Sequence, residues 1–547
     1  MSVERILVLN LTRFGDLIQT SPTIEALRDR YPGASVTLLV DRNFAAVAHE
    51  IPGVTEVRTT DLDAIGHALM RGPEGVLEAF GLVRDWVREL KALRFDLALN
   101  YSSSRMSAIL MGMLGVPDVR GWTATPDGQR LIRHRWSRLF ATMCLHRRWA
   151  PWNLVDYYRL IAGDSPGVRR RLHFRVRDEA RREVDEILAD AGVRSGESLV
   201  AIQPGASRAI RQWPTERYAA VAETVAARGF RPIVIGGAGD RALGDAISQA
   251  AGSAAAVVNL AGSTGIPTLA ALLSRARLLV TGDTGPMHLA AAVDTPIVGL
   301  FFGPAMPEDT GPYGAGHLMV HAAVACAPCQ QETRCGAPFC REEISAELIA
   351  HLAEVQLGLK DTTMLPGLSA SVRVLRTGFD VHGFFDLEPV AGACAGRDAE
   401  IRRAYRAGLL HEVEGLGSPG GLLRRQDREP FALLAEAARE TAGLARELHQ
   451  VCGASSDTGA VQAIQQEMAE VEARMHEMGT THPVVAPLVR LAEFERESLP
   501  LADAMSVASR WAAIHEALAR QAGAVAFGHA RAGSRPLQGE DYAGISE

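Results

Sequence analysis

The feature that most constrains this chain is a recurring unit: a short run that is apolar throughout, a glycine-bearing turn, then a helical pattern. Arg5–Leu11 reads as a buried strand, and Thr12-Arg13-Phe14-Gly15-Asp16 forms the turn. Thr20–Arg30 follows as a helix with Pro22 in its first turn. Ser35–Val40 is a second strand, and a long charged helix ending near Leu93 precedes a third at Phe95–Asn100. Strands that are apolar without alternation are buried on both faces, which calls for a parallel sheet covered by helices.

The pattern restarts at Ser198. Strand Leu199–Gln203 leads through a glycine turn to helix Glu216–Arg228 and strand Pro232–Gly236. Helix Pro267–Ser274 then precedes strand Leu278–Thr281, and helix Met287–Ala292 precedes strand Pro296–Phe301. The fold class is therefore α/β, with two facing doubly wound Rossmann-like domains and a cleft between them. Ligands in such sheets bind beyond the carboxyl ends of the strands.

At roughly 150 residues per domain, a chain of 547 residues has room for more. The boundaries expected are an N-terminal domain over 1–170, a linker over 171–197, a second α/β domain over 198–345, a closing helix over 346–362 and an accessory domain over 363–547. Helix followed by an Arg-rich connector is expected over Pro151–Arg171. Ser371–Val390 has strand-like stretches, and beyond Ile401 the chain reads as helices. Val461, Ile464, Met468, Val471, Met475 and Met478 form one apolar stripe behind Asp457, a candidate N-cap, with Leu434, Leu444, Leu448 and Val451 on a preceding helix. The stripe is too short for a free coiled coil and predicts an antiparallel bundle.

Net charge is −7, which argues against a dedicated nucleic-acid binder. Lys91 and Lys360 are the only lysines, so arginine must do nearly all anion binding. No apolar run approaches the length of a membrane-spanning helix. The opening MSVERILVLNLTRFGD lacks a long apolar leader, so a cytoplasmic chain is expected, with the inner face of the cytoplasmic membrane as a place to act. Cys326, Cys329, Cys335 and Cys340 are spaced C-x2-C-x5-C-x4-C, which fits a structural zinc or iron site or a reduced surface loop. Cys144, Cys394 and Cys452 read as isolated buried apolar residues.

Three turns carry residues that can do chemistry. Asp16, at the end of the first strand, could take a proton from a hydroxyl, or simply cap its helix. Gln203-Pro-Gly-Ala-Ser207-Arg208-Ala-Ile-Arg211 offers backbone N–H groups, a hydroxyl and two guanidinium groups to a diphosphate. Thr281-Gly-Asp283-Thr284-Gly285-Pro286-Met287-His288 runs from strand into helix, where amides attract phosphate and Asp283 could accept from sugar hydroxyls. His288 in isolation fits a structural role as well. Gly237-Ala-Gly239-Asp240-Arg241-Ala242 matches a dinucleotide fingerprint, but the next strand offers Asn259 where a ribose-binding acid belongs, which argues against NAD.

Taken together, the segments RILVLNLTRFGDLIQTSPTIEALRDRYPGASVTLLV, QPGASRAIRQWPTERYAAVA and LAALLSRARLLVTGDTGPMHLAAAVDTPIVGLFFGP resemble glycosyltransferase family 9, the ADP-heptose:lipopolysaccharide heptosyltransferases of GT-B fold. The resemblance spans about Met1 to Lys360 and leaves the C-terminal third uncovered. It implies Asp16 as catalytic base, Thr12, Arg13 and Gly15 on the acceptor side, and Ser207, Arg208 and Arg211 on the donor diphosphate. Asp283 would contact the donor sugar, with Thr284, Gly285 and His288 on the phosphate-side loop. Where the family often has two small hydroxyl residues before the Gly-Asp pair, this chain has Arg13 and Phe14. Cys-rich loops, some iron-bearing, also occur in the family.

The activity implied is inverting transfer of a heptose or related sugar from ADP-heptose to a lipopolysaccharide core, another surface glycan or a protein. No cofactor is required for it, and no Asp-x-Asp motif is placed to hold a divalent ion against the diphosphate. A nucleotide-sugar epimerase or hydrolase, and a non-catalytic nucleotide-sugar-binding scaffold, are the alternatives. The C-terminal helices could serve self-association, docking at a membrane surface or contact with an acceptor protein.

Overall fold

The computed structural model describes residues 3–329, 335–392, 396–416, 423–454, 458–499 and 503–527. The chain divides into two compact units, one of residues 1–130 with 152–394 and the other of 131–151 with 395–547.

The first unit holds both α/β lobes. Strands β1 (Arg5–Leu9), β2 (Ser35–Asp41), β3 (Glu56–Thr60), β4 (Leu97–Asn100) and β5 (Asp118–Ala124) run in the order β3-β2-β1-β4-β5. The β1–β2, β1–β4, β2–β3 and β4–β5 pairs are parallel. Ile6, Leu7, Val8 and Leu9 are fully buried, as an all-apolar strand in a covered sheet must be. The chain passes towards the second unit along β6 (Arg130–Arg133).

The second lobe is built on β7 (Leu199–Gln203), β8 (Arg231–Val234), β9 (Val258–Asn259), β10 (Ala276–Gly282), β11 (Ile297–Phe301), β12 (Leu318–Ala322), β13 (Val372–Phe379) and β14 (Phe385–Gly392). Their order is β14-β13-β12-β11-β10-β7-β8-β9. The core β8-β7-β10-β11-β12 ladder is parallel, whereas β12–β13 and β13–β14 are antiparallel. The strand-like stretch expected inside an accessory domain is thus a hairpin added to this sheet. Val372 and Val374 are buried in the same core as Val298 and Val320. Alternation of apolar and polar residues is what a hairpin with one solvated face shows, and it was readable as strand without revealing its partner.

Pro151–Arg171 holds the expected helix, Leu154–Ile161, and its Arg159 and Arg170 are buried. Arg159, on helix Leu154–Ile161, is fully buried. It donates to Asp164 at 2.7 Å, to the Tyr313 hydroxyl at 2.9 Å and to the Gly383 carbonyl at 3.1 Å. Arg170 closes a two-pronged pair on Asp164 at 2.9 Å. Tyr313 O–H donates to Asp156 at 2.7 Å, and the Phe385 N–H bonds the same carboxylate at 3.1 Å. These contacts fasten the last helix of the first lobe to the added hairpin.

The second unit is helical: Arg135–Leu145, Arg397–Glu414, Arg425–Ala454, Thr458–Thr481, Ala486–Glu497 and Ala504–Phe527. Ile464, Met468, Val471 and Met475 of the predicted stripe are buried, while Val461 and Met478 are half-buried. Ile464 and Met468 pack with Ala445, Leu448, Ala508 and Ala512. Arg474 pairs with Glu440 at 2.7 Å, so these two helices run antiparallel. Asp457 lies outside the described residues. Among the described residues no helix is long and apolar enough to cross a membrane.

Candidate functional site

The Asp16 turn is anchored from below. Asn10 is buried at the end of β1, and its N–H bonds the Leu39 carbonyl at 3.1 Å. Its side-chain oxygen accepts from the Thr12 N–H at 3.2 Å and from the Thr12 hydroxyl. The Leu11 N–H bonds the Ser102 hydroxyl at 2.8 Å. Asp16 then sits half-buried in the first turn of the short helix Phe14–Ile18. Burial pushes its carboxyl above the ordinary range, against the opposing pull of hydrogen bonds from the Thr12 side chain and the Arg13 backbone. The charge of Asp283 pushes it further up.

In the second lobe, β7 and β10 pair with Thr281 opposite Gln203. The Gln203 side-chain oxygen Oε1 accepts from the hydroxyls of Thr281 at 2.9 Å and Thr284 at 3.0 Å, while its Nε2 donates to the Gly205 backbone carbonyl at 2.8 Å. Thr284 is the N-cap of helix Gly285–Ala292 but makes no side-chain cap. Its hydroxyl is turned to Gln203, so it leaves the helix N–H groups uncapped. Arg211 donates to Asp283 at 2.9 Å. His288 is buried, its pKa held down to about 4 by burial, and its Nδ1 has no hydrogen-bond partner.

The two turns meet. A Cβ on Gly15 would lie 3.1 Å from the Gly285 Cα and 3.1 Å from the His288 ring. A Cβ on Gly285 would fall 2.1 Å from the Phe14 ring. Arg13 reaches across to the Ser207 hydroxyl at 3.4 Å. Asp16, Thr12, Arg13, Gly15, Ser207, Arg211, Asp283, Thr284, Gly285 and His288 therefore share one neighbourhood. Arg208 is half-buried in the Ser207 turn. The sequence reading gave the Gln203 and Asn10 side chains no role, although each is a polar residue at the end of an apolar strand, a signal visible in advance.

The competing glycine turn is filled by its own acid. The Gly237 N–H bonds Asp240 at 2.9 Å, and the Asp240 carboxylate occupies the space a Cβ on Gly205 would need. Among the described residues no group of three His, Cys, Asp or Glu is placed to hold a metal ion, yet Cys326, Cys335 and Cys340 all act electrostatically on the Cys329 thiol, so the four cysteines lie near one another. Cys326 and Cys335 are exposed, Cys329 is half-buried and Cys340 is buried. Burial is the main cause raising the Cys329 and Cys340 thiols, with their neighbouring cysteines adding to it. The expectation that the isolated cysteines are buried fails at Cys144, which is exposed on its helix, and at Cys452, which is half-buried. Cys394 lies outside the described residues.

The turn carrying the Asp16 carboxyl on one Rossmann-like lobe thus lies against the N-terminus of helix Gly285–Ala292 on the other. The family model for "Glycosyltransferase family 9 (heptosyltransferase)" matches residues 83–338. A curated relative, "Lipopolysaccharide heptosyltransferase 3" of Escherichia coli, is 27% identical over 296 residues, 52% of this chain and 80% of its own. The crystal structure of a family 9 glycosyl transferase from Veillonella parvula has a TM-score of 0.52 at 22% identity, covering 66% of this chain and 99% of that one. The structure of E. coli ADP-heptose lps heptosyltransferase II has a TM-score of 0.50 at 21% identity, covering 64% and 98%. Over residues 83–338 the chain is similar to glycosyltransferase family 9, and it is an enzyme of the glycosyltransferase class.

Proposed function

We propose that this chain transfers a heptose from ADP-heptose to a lipopolysaccharide core sugar or another surface glycan, inverting the anomeric configuration. The observation that carries the proposal is the half-buried Asp16 carboxyl beside the open N-terminus of helix Gly285–Ala292. The named relatives, a lipopolysaccharide heptosyltransferase and an ADP-heptose lps heptosyltransferase, supply the donor and acceptor class.

In this reading the acceptor hydroxyl oxygen attacks the anomeric carbon while Asp16 takes its proton. The bond from that carbon to the diphosphate oxygen breaks on the opposite face, and ADP leaves. Arg211, Ser207 and the amides after Thr284 stabilise the charge that develops on the leaving phosphate. Asp283 accepts from sugar hydroxyls and holds Arg211 in place. His288 is neutral at pH 7, so it contributes shape and a hydrogen-bonding nitrogen rather than charge.

The test supplies ADP-heptose to the full chain with and without a lipopolysaccharide core acceptor. Acceptor-dependent ADP release with a glycosylated product supports the proposal. Release of free or epimerised sugar at the same rate without acceptor would instead assign a hydrolase or epimerase.

A further inference from the structure

Arg13 belongs to the first lobe, in the turn that carries the base, yet its guanidinium ends on the second lobe. Its Nη1 lies 3.4 Å from the Ser207 hydroxyl, in the turn that follows β7. The residue is otherwise solvent-exposed. Gly15 and Gly285 approach so closely that neither tolerates a Cβ without displacement, and the Phe14 ring covers Gly285. That seating holds the turn carrying Arg13 against the second lobe, with the guanidinium beside Ser207.

The cradle gains from a cation there. Arg211 commits a hydrogen bond to the Asp283 carboxylate at 2.9 Å, which offsets part of its charge. The chain has no lysine between Lys91 and Lys360 to add another. A guanidinium presents a planar fork that matches two phosphate oxygens, as a short hydroxyl side chain could not.

We propose that Arg13 is a diphosphate-binding residue delivered by the acceptor-side lobe, so that seating the donor's diphosphate ties the base-carrying turn onto the donor lobe. The inference rests on the donor-site reading above and extends it. Arg13 would bridge the two phosphates beside Ser207, taking part in leaving-group stabilisation without exchanging a proton.

The experiment titrates the full chain with ADP, UDP, GDP and CDP, then with the monophosphate of whichever binds most tightly, in the wild type and in Arg13→Ala and Arg13→Lys. The expected result is a loss of at least tenfold in diphosphate affinity for Arg13→Ala, a change under threefold for the monophosphate, and an intermediate loss for Arg13→Lys. Equal losses for both nucleotides would reduce Arg13 to a structural role and overturn the inference. So would wild-type diphosphate affinity in Arg13→Ala. If the wild type binds none of the four diphosphates, the donor-site reading fails and this inference falls with it, a result distinct from either of the others.

Discussion

The Arg211 guanidinium donates to the Asp283 carboxylate at 2.9 Å, joining the turn after β7 to the turn after β10. A second bond reaches the Asp283 backbone carbonyl, so the arginine braces the whole turn. In the proposed mechanism the pair divides two tasks: the cation serves the diphosphate and the acid serves the sugar. Arg211→Ala is expected to weaken ADP binding by roughly ten- to a hundredfold, the range of one hydrogen bond to a charged group. Asp283→Asn is expected to weaken the nucleotide sugar more than ADP itself. Calorimetric titration of both variants with both ligands checks the division.

Gly285 meets the Phe14 ring where its own Cβ would be, 2.1 Å away. Gly285→Ala therefore has to push the Phe14 ring off the donor helix and with it the turn carrying Asp16. Turnover is expected to fall about tenfold, because small misplacements of reacting groups are costly. In the double variant Gly285→Ala/Phe14→Ala the ring no longer clashes. Its turnover is expected to be higher than the two single losses multiplied together, a coupling that a double-mutant cycle measures.

The α/β architecture was legible because buried parallel strands announce themselves as continuous apolar runs. Leu199–Gln203 was placed to the residue. The short helix Phe14–Ile18 was not, since five residues carry no periodicity to read. The hairpin β13–β14 could be seen as strand but not assigned to a sheet, because a one-sided strand looks the same whichever sheet edge it joins. Helix Arg135–Leu145 belongs to the helical unit although it interrupts the first lobe in sequence, and nothing local marks such an excursion. Within the site, residue types were readable turn by turn. The Arg13–Ser207 contact was not, because it depends on two backbones approaching through paired glycines far apart in the chain.

Two buried histidines make the fold sensitive to acid. Burial lowers the pKa of His288 to about 4 and that of His317 to about 4. An unfolded histidine titrates near 6.5. Between those values the unfolded chain binds more protons than the folded one, so stability rises with pH across the window. Their contribution is complete above about pH 6.5 and is lost as pH falls towards 4, on the order of 3 kcal/mol for each. Denaturant unfolding at pH 7, 5.5 and 4.5 is expected to show a falling midpoint. His317→Gln, which keeps a polar group without the titration, is expected to flatten that fall.

In the proposed mechanism Asp16 sets the acid limb of the activity profile. Its pKa is raised, chiefly by burial, so the rate is expected to begin falling at a higher pH than an ordinary aspartate would give. Asp16→Asn removes the base while keeping its shape, and the expected loss in kcat is about 10²–10⁴-fold, with ADP affinity retained. Neighbouring charges test whether the limb belongs to this carboxyl. Asp283 raises the Asp16 pKa and Arg13 lowers it. Asp283→Asn should therefore move the acid limb of kcat to lower pH, and Arg13→Ala should move it higher. Profiles that shift together in one direction, or not at all, would place the titrating group elsewhere.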